Sequence, residues 1–267
     1  VPASRAFGSG IHVAAAYFFR GVARGGGPPT LADVQAHFEA LWNLETQAQS
    51  LRYGEKETKE SLRDLAMKMV GVLHREFDRG TDVLAVEEPF RVPLVDADTG
   101  EALDRDLVGT IDLLERDAER RAVVVDVKTS VRKYSDLQVE APLQLSIYSY
   151  AMSLGPHAGE EDIRLRFDVL TKTKQPELHR YWTTRDRAAD VRLYRLAAEV
   201  LRRPGACSRA TRGRGTCASS GRGEPRGGVG RWRVDPATGF RADLGQARLH
   251  WCQPGGPSAA TSCAGKP

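Results

Sequence analysis

Apolar positions in the first eighty residues recur at helical spacing. Ile11, Ala15, Phe18 and Val22 fall on one face of a first helix. After a Gly/Pro break, Thr30 stands as N-cap to a second helix that would bury Leu31, Val34, Phe38 and Leu41. A third carries Leu62, Leu65, Met69 and Leu73 and reaches Phe77. The period then shortens to that of strands. Val83–Pro93, Leu107–Arg116 and Ala122–Thr129 are rich in Val and Leu, and they are separated by the turn Asp98-Thr99-Gly100 and the charged stretch Asp117–Arg121. A helix over Leu143–Leu154 follows, then strands over Ile163–Thr171 and Leu178–Trp182. The last helix, Asp186–Arg202, aligns Val191, Leu193, Tyr194, Leu196 and Val200.

This order, ααα–βββ–α–ββ–α, predicts an α/β fold. A three-strand meander, a crossing helix and further strands would form a mixed central sheet flanked by helices. The pattern assigns residues 1–202 to one domain and leaves 203–267 as a Gly/Arg/Pro/Ser-rich tail. Nothing in that tail could offset the entropy of ordering it, so it is expected to be disordered. The abrupt change after Arg202 looks like another reading frame of a GC-rich gene. An Arg/Gly-rich nucleic-acid-binding tail is the functional alternative. Because Val1 is not a start methionine, part of the N-terminus is expected to be missing.

Composition changes this picture little. No apolar run approaches the roughly 20 residues of a membrane span, and no signal peptide opens the sequence. The net charge of +4 belongs to the tail, which holds 11 Lys/Arg against 3 acidic residues; residues 1–202 carry 28 basic and 32 acidic side chains. Basic charge is therefore no argument for nucleic-acid binding. All four cysteines, Cys207, Cys217, Cys252 and Cys263, lie in the tail, with no C-x-x-C spacing. A cysteine-free body fits a reducing cytoplasm.

The chemistry concentrates in the central hairpin, Gly109-Thr-Ile-Asp112 followed by Val125-Asp126-Val127-Lys128-Thr129. Residues two apart on a strand share a face, so Asp126 and Lys128 point the same way. If Arg116 faces Ala122 across the turn, Asp112 falls opposite Asp126. Cross-strand neighbours have Cβ atoms roughly 4.5–5.5 Å apart, which suits two carboxylates holding one hard cation. Without a cation the two would repel on a mostly apolar hairpin. Lys128, a compact point charge, would orient an attacking water or stabilise a transition state. A D-x-K triplet alone is weak, as Glu57-Thr58-Lys59 on a polar helical stretch illustrates. Here the apolar strand and the partner Asp at matching register lift it.

These motifs resemble the PD-(D/E)XK nuclease superfamily in its RecB-like branch. The matching residues are Gly109…Asp112, Asp126-Val127-Lys128, and Gln144…Tyr148 on the following helix. Phe7-Gly-Ser-Gly-Ile-His12 is similar to that branch's early histidine after a glycine turn, and Glu87 to an acidic residue on the preceding strand. The resemblance implies a restriction-endonuclease-like core and a Mg²⁺- or Mn²⁺-dependent deoxyribonuclease. In it, His12, Asp112, Asp126 and the Val127 carbonyl hold the metal, and Lys128 acts with Asp112 and Asp126 in catalysis. Gln144 and Tyr148 lie near the nucleic-acid backbone. It also implies work on DNA in repair, recombination or phage DNA processing, with a helicase or another subunit as partner. Arg132, Lys133, Lys172 and Lys174 are candidate phosphate contacts. The upstream and spaced cysteines of cluster-bearing members are missing, so no iron–sulfur cluster is expected. A non-cleaving DNA-binding module of a helicase–nuclease or CRISPR adaptation complex is the alternative, and an RNA-directed member a third reading. Gly8-Ser-Gly10 lacks the last glycine of a dinucleotide fingerprint, and no Walker A motif is present.

Overall fold

The computed structural model describes residues 1–202 except 26, 79, 156 and 161, together with the backbone of 230–232 and 249–252. Three helices come first: α1 (Ala3–Ala23), α2 (Leu31–Ala48) and α3 (Lys59–Glu76). Thr30 begins α2 as a capping box, its hydroxyl accepting from Asp33 N at 3.2 Å while the Asp33 carboxylate accepts from Thr30 N at 3.2 Å. Thr58 and Ser61 do the same for α3, so Glu57-Thr58-Lys59 is a helix start rather than a helical stretch. Phe7, Ile11 and Phe18 of α1 are buried with Phe38 and Trp42 of α2 and Met69 and Leu73 of α3. Trp42, at 1% exposure, takes the inward position expected of Leu41, which is half-buried. Val34, Phe38 and Trp42 follow i+4 spacing along one face, and the larger ring takes the contact with Phe7 and Phe38.

The strands β1 (Asp82–Val95), β2 (Ala102–Arg116), β3 (Ala122–Ser130), β4 (Ile163–Thr171) and β5 (Leu178–Thr183) form a mixed five-stranded sheet in sequential order. All neighbours are antiparallel except β3 and β4, which run parallel and are joined by the short α4 (Asp136–Glu140) and by α5 (Leu143–Leu154). The α6 helix (Arg187–Arg202) follows β5. The expected restriction-endonuclease-like α/β architecture is thus present, with β1 and β2 longer than expected and α4 additional. Two short strands, β6 (Gly230–Trp232) and β7 (Leu249–Cys252), extend the sheet, β7 pairing with Asp106–Val108 of β2. The rest of 203–267, with Cys207, Cys217 and Cys263, lies outside the described residues.

Two cores sandwich the sheet. Helices α1–α3 cover Leu113, Val123, Val125, Val127 and Leu170. Helices α5 and α6 cover Leu114, Val124, Leu165, Phe167 and Val169 on the other face. Ala122 to Val125 are fully buried, as a strand with both faces covered must be. Among the described residues no helix is long and apolar enough to cross a membrane.

Candidate active site

The β2–β3 ladder runs from Arg116↔Ala122 to Leu113↔Val125, the register expected of the hairpin. One step further Asp112 would face Asp126, and there the ladder stops. Strand β1 occupies one edge of β2, so β3 and β7 must share the other; β3 takes Leu113–Arg116 and β7 takes Asp106–Val108. The two carboxylates sit where β3 departs. The burial alternation of β2 also slips here: Leu107 and Ile111 join the α5-side core, while Leu113 joins the α1-side core. Asp112 therefore stands at the boundary between the two faces. Its Oδ2 accepts from Val127 N at 3.2 Å and lies 3.3 Å from His12 Nδ1.

Helix α1 delivers His12 through a close approach. A Cβ on Gly10 would lie 2.8 Å from Phe38 Cε2, and one on Gly8 would lie 3.6 Å from Thr129 Oγ1. A Cβ at Gly10 would force α1 and the Phe38 ring of α2 apart, whereas one at Gly8 would make ordinary contact with the end of β3. Asp126, fully buried, and Lys128 share a face as expected, with Nζ 2.6 Å from Oδ2. That ion pair is not aligned as a hydrogen bond, and both Asp126 oxygens lack a hydrogen-bond partner, as does His12 Nε2. Lys128 Nζ donates instead to Gln144 Oε1 at 2.7 Å, and Gln144 Nε2 donates to Tyr148 OH at 2.9 Å. The amide orientation follows from chemistry: a charged lysine can only donate, so it takes the oxygen, and the phenol oxygen accepts from the nitrogen.

Burial sets the protonation of this cluster. Burial and then the Asp126 carboxylate raise the Asp112 pKa well above the ordinary carboxylate range, against the pull of Lys128. Burial also raises Asp126, opposed by Lys128 and the Tyr148 hydroxyl. For Lys128, burial favours the neutral amine, yet Asp126 and Asp112 outweigh it and the ammonium persists. Burial and Lys128 push His12 well below its usual value, against a backbone contact with Val127, so the ring is neutral with a lone pair to offer. Tyr148 is pushed well up by burial and stays a phenol.

The structure thus brings together His12, Asp112, Asp126, Val127, Lys128, Gln144 and Tyr148. Gln144, partly buried, contacts the lysine directly, and Tyr148, only 2% exposed, stands behind it. Glu87 stands opposite Asp112 in the β1–β2 register, with φ 51°, and pairs with Arg20. A left-handed non-glycine residue beside a carboxylate pair is costly backbone, and such strain gathers at functional sites. Arg132 and Lys174 are exposed, Lys133 pairs with Glu177 at 3.2 Å, and Lys172 lies half-buried 5.9 Å from the Phe7 ring centre.

Among the described residues no three His, Cys, Asp or Glu side chains gather as a ready metal cage. The Lys128 ammonium occupies the cationic position against Asp126. The donor set still fits a divalent ion: a neutral imidazole, two carboxylates and a neighbouring backbone carbonyl, with orphaned buried atoms on His12 and Asp126.

The profile of the PD-(D/E)XK nuclease superfamily matches residues 1–219. No curated protein matches the chain. A solved structure described as "Crystal structure of SSO0001" is 17% identical and aligns over 55% of this chain and 69% of its own, with a TM-score of 0.31. That likeness is too low to carry any part of the argument.

Proposed function

Because the chain belongs to the PD-(D/E)XK nuclease superfamily, we propose that it is a Mg²⁺- or Mn²⁺-dependent deoxyribonuclease that hydrolyses phosphodiester bonds at this site. The observation that carries the reading is buried His12 Nε2, which lacks a hydrogen-bond partner, beside two buried carboxylates, Asp112 and Asp126, that share one ammonium, Lys128. Burying an unpartnered polar atom and an uncompensated negative charge is costly, and a divalent cation removes the cost. His12, Asp112, Asp126 and the Val127 carbonyl would hold the ion. When bound, the metal neutralises charge on the phosphate and lowers the pKa of an attacking water.

The rest is the work of this chain's own side chains. The neutral His12 ring offers a lone pair, and Asp112 is oriented by the Val127 N–H. Gln144 holds the Lys128 ammonium, which leaves Asp126 for the substrate and donates to the phosphate or to the water. Glu87 adds negative charge on the Asp112 side. Arg132, Lys133, Lys172 and Lys174 take neighbouring phosphates. The order of the motifs supports the RecB-like branch and DNA processing in repair, recombination or phage metabolism alongside a helicase or other subunit.

The test is cleavage of end-labelled single- and double-stranded DNA in Mg²⁺, Mn²⁺ or EDTA, with Asp126→Asn alongside. Metal-dependent products that vanish in the variant are expected. Binding without any cleavage in either metal would leave a non-cleaving binding module.

A further inference from the structure

The connection between β5 and α6 holds a guanidinium that the site described above does not use. The Arg185 side chain is 6% exposed. Its Nε donates to Ser146 Oγ at 3.0 Å, and one terminal nitrogen donates to Thr183 Oγ1 at 2.6 Å, to Thr184 O at 2.8 Å and to Glu140 Oε2 at 3.4 Å. The other donates to the carbonyls of Val139 and Glu140 at 3.2 and 3.3 Å. These carbonyls close α4, whose last turn has no helical partners for them. Ser146 lies on α5, beyond the Pro142 N-cap, which supplies no capping side chain. Arg185 therefore fastens the end of α4 to the second turn of α5. Thr183 adds a brace, its hydroxyl donating to Glu140 Oε1 at 2.8 Å.

Gln144 lies between the fastened points, two residues before Ser146 and on the first turn of α5. Its Oε1 is the acceptor that holds Lys128, and Tyr148 follows one turn later. We infer that Arg185 is a positioning residue: by fixing the α4–α5 junction it aims Gln144 at the Lys128 ammonium. The inference rests on the proposed role of Lys128. Burial fits the task, because a guanidinium bonded to three segments at once is rigid. A lysine there could not reach the Ser146 hydroxyl and the two carbonyls with one fork.

The experiment is a double-mutant cycle between Arg185→Met and Gln144→Ala, read by single-turnover cleavage, KM and hydrogen exchange. Arg185→Met is expected to lower kcat about tenfold, with KM within about twofold, because it misaligns a transition-state donor without removing it. In the Gln144→Ala background the same change is expected to alter kcat less than about twofold, because the route through Gln144 is already gone. Losses that multiply would overturn the inference, since a merely structural role adds independently. Should Arg185→Met fail to fold, Ser146→Ala removes only the α5 end of the fastening and is read against the same cycle. Amide exchange over 143–148 separates this inference from the proposed function, for it needs no catalysis. Faster exchange there in Arg185→Met, with 62–73 unchanged, is expected even if the wild-type protein cleaves no DNA. Unchanged exchange over 143–148 would overturn it.

Discussion

Replacing Lys128 by Ala removes an ammonium that lies 2.6 Å from Asp126 Oδ2 and 2.7 Å from Gln144 Oε1. Two effects follow, and they separate in the assay. Without metal, the fully buried Asp126 loses the cation that opposes its burial. Breaking a buried pair from one side costs about 3–5 kcal/mol. In a domain of this size each kcal/mol moves Tm by about 2–4 °C, so the variant should melt roughly 6–20 °C lower in EDTA at neutral pH. The sign of the pH dependence is fixed by Asp126. Lys128 holds its pKa down, so removal drives it further up, and a raised carboxylate pKa means stability falls as pH rises through it. The deficit should shrink toward acid pH, where Asp126 is protonated in both proteins.

With Mg²⁺ or Mn²⁺ the deficit should shrink as well, since the ion replaces the ammonium beside Asp126. Metal affinity, read by calorimetry, should hold or rise. Single-turnover cleavage should nevertheless fall by a factor on the order of 10²–10³, the loss typical of one transition-state donor. Full-rate cleavage would refute the catalytic role of Lys128. So would a loss fully explained by weaker metal binding.

Asp112→Asn should abolish metal-dependent cleavage while raising Tm in EDTA at neutral pH, because a carboxylate whose pKa burial and Asp126 raise is destabilising when ionised. The wild-type protein should lose stability between the ordinary carboxylate range and that raised pKa as pH increases, and the variant should be flatter; a lower Tm in EDTA would count against it. His12→Ala should weaken Mn²⁺ binding at least about tenfold by calorimetry while the far-ultraviolet circular dichroism is kept, and unchanged binding would return His12 to a core role. Gly10→Ala places a Cβ 2.8 Å from Phe38 Cε2, so it should cost about 1–3 kcal/mol by urea denaturation, and a neutral result would mean α1 shifts freely.

Much of this site was legible because charge on an apolar strand is conspicuous. Asp126 and Lys128 sit among Val123, Val124, Val125 and Val127, and period-two facing put them on one side. The turn length gave the pairing Arg116↔Ala122, and the ladder keeps that register as far as Leu113↔Val125, one step short of Asp112 and Asp126. The departure of β3 at Asp112 was not legible in the turn length or the strand period, nor was the pairing of β7 further along the same edge of β2. Glu87 was named from the resemblance, but its left-handed backbone, with φ 51°, was not legible. Gln144 and Tyr148 were visible as an i,i+4 pair, but which way an amide faces is decided by its partner, here a lysine from another element. Arg185 carried no local signal: one arginine in a connection looks like any solvated charge until three segments close around it.

Charge balance joins the geometry to the proposed chemistry. With His12 neutral and Lys128 cationic, ionised Asp112 and Asp126 leave the cluster at minus one. Burial penalises that residue of charge, which is why the Asp112 pKa is driven up. A divalent cation alone would swing the cluster to plus one, a buried charge of the opposite sign and no less costly. A divalent cation together with one phosphodiester brings it to zero. The same reasoning explains why Lys128 belongs in the site at all: without it, metal and carboxylates would already balance, and the phosphate would enter as an uncompensated anion. With it, metal and phosphate each favour the binding of the other. This gives the site a thermodynamic signature, because a non-cleavable DNA should tighten Mg²⁺ binding in the wild-type protein more than in Lys128→Ala.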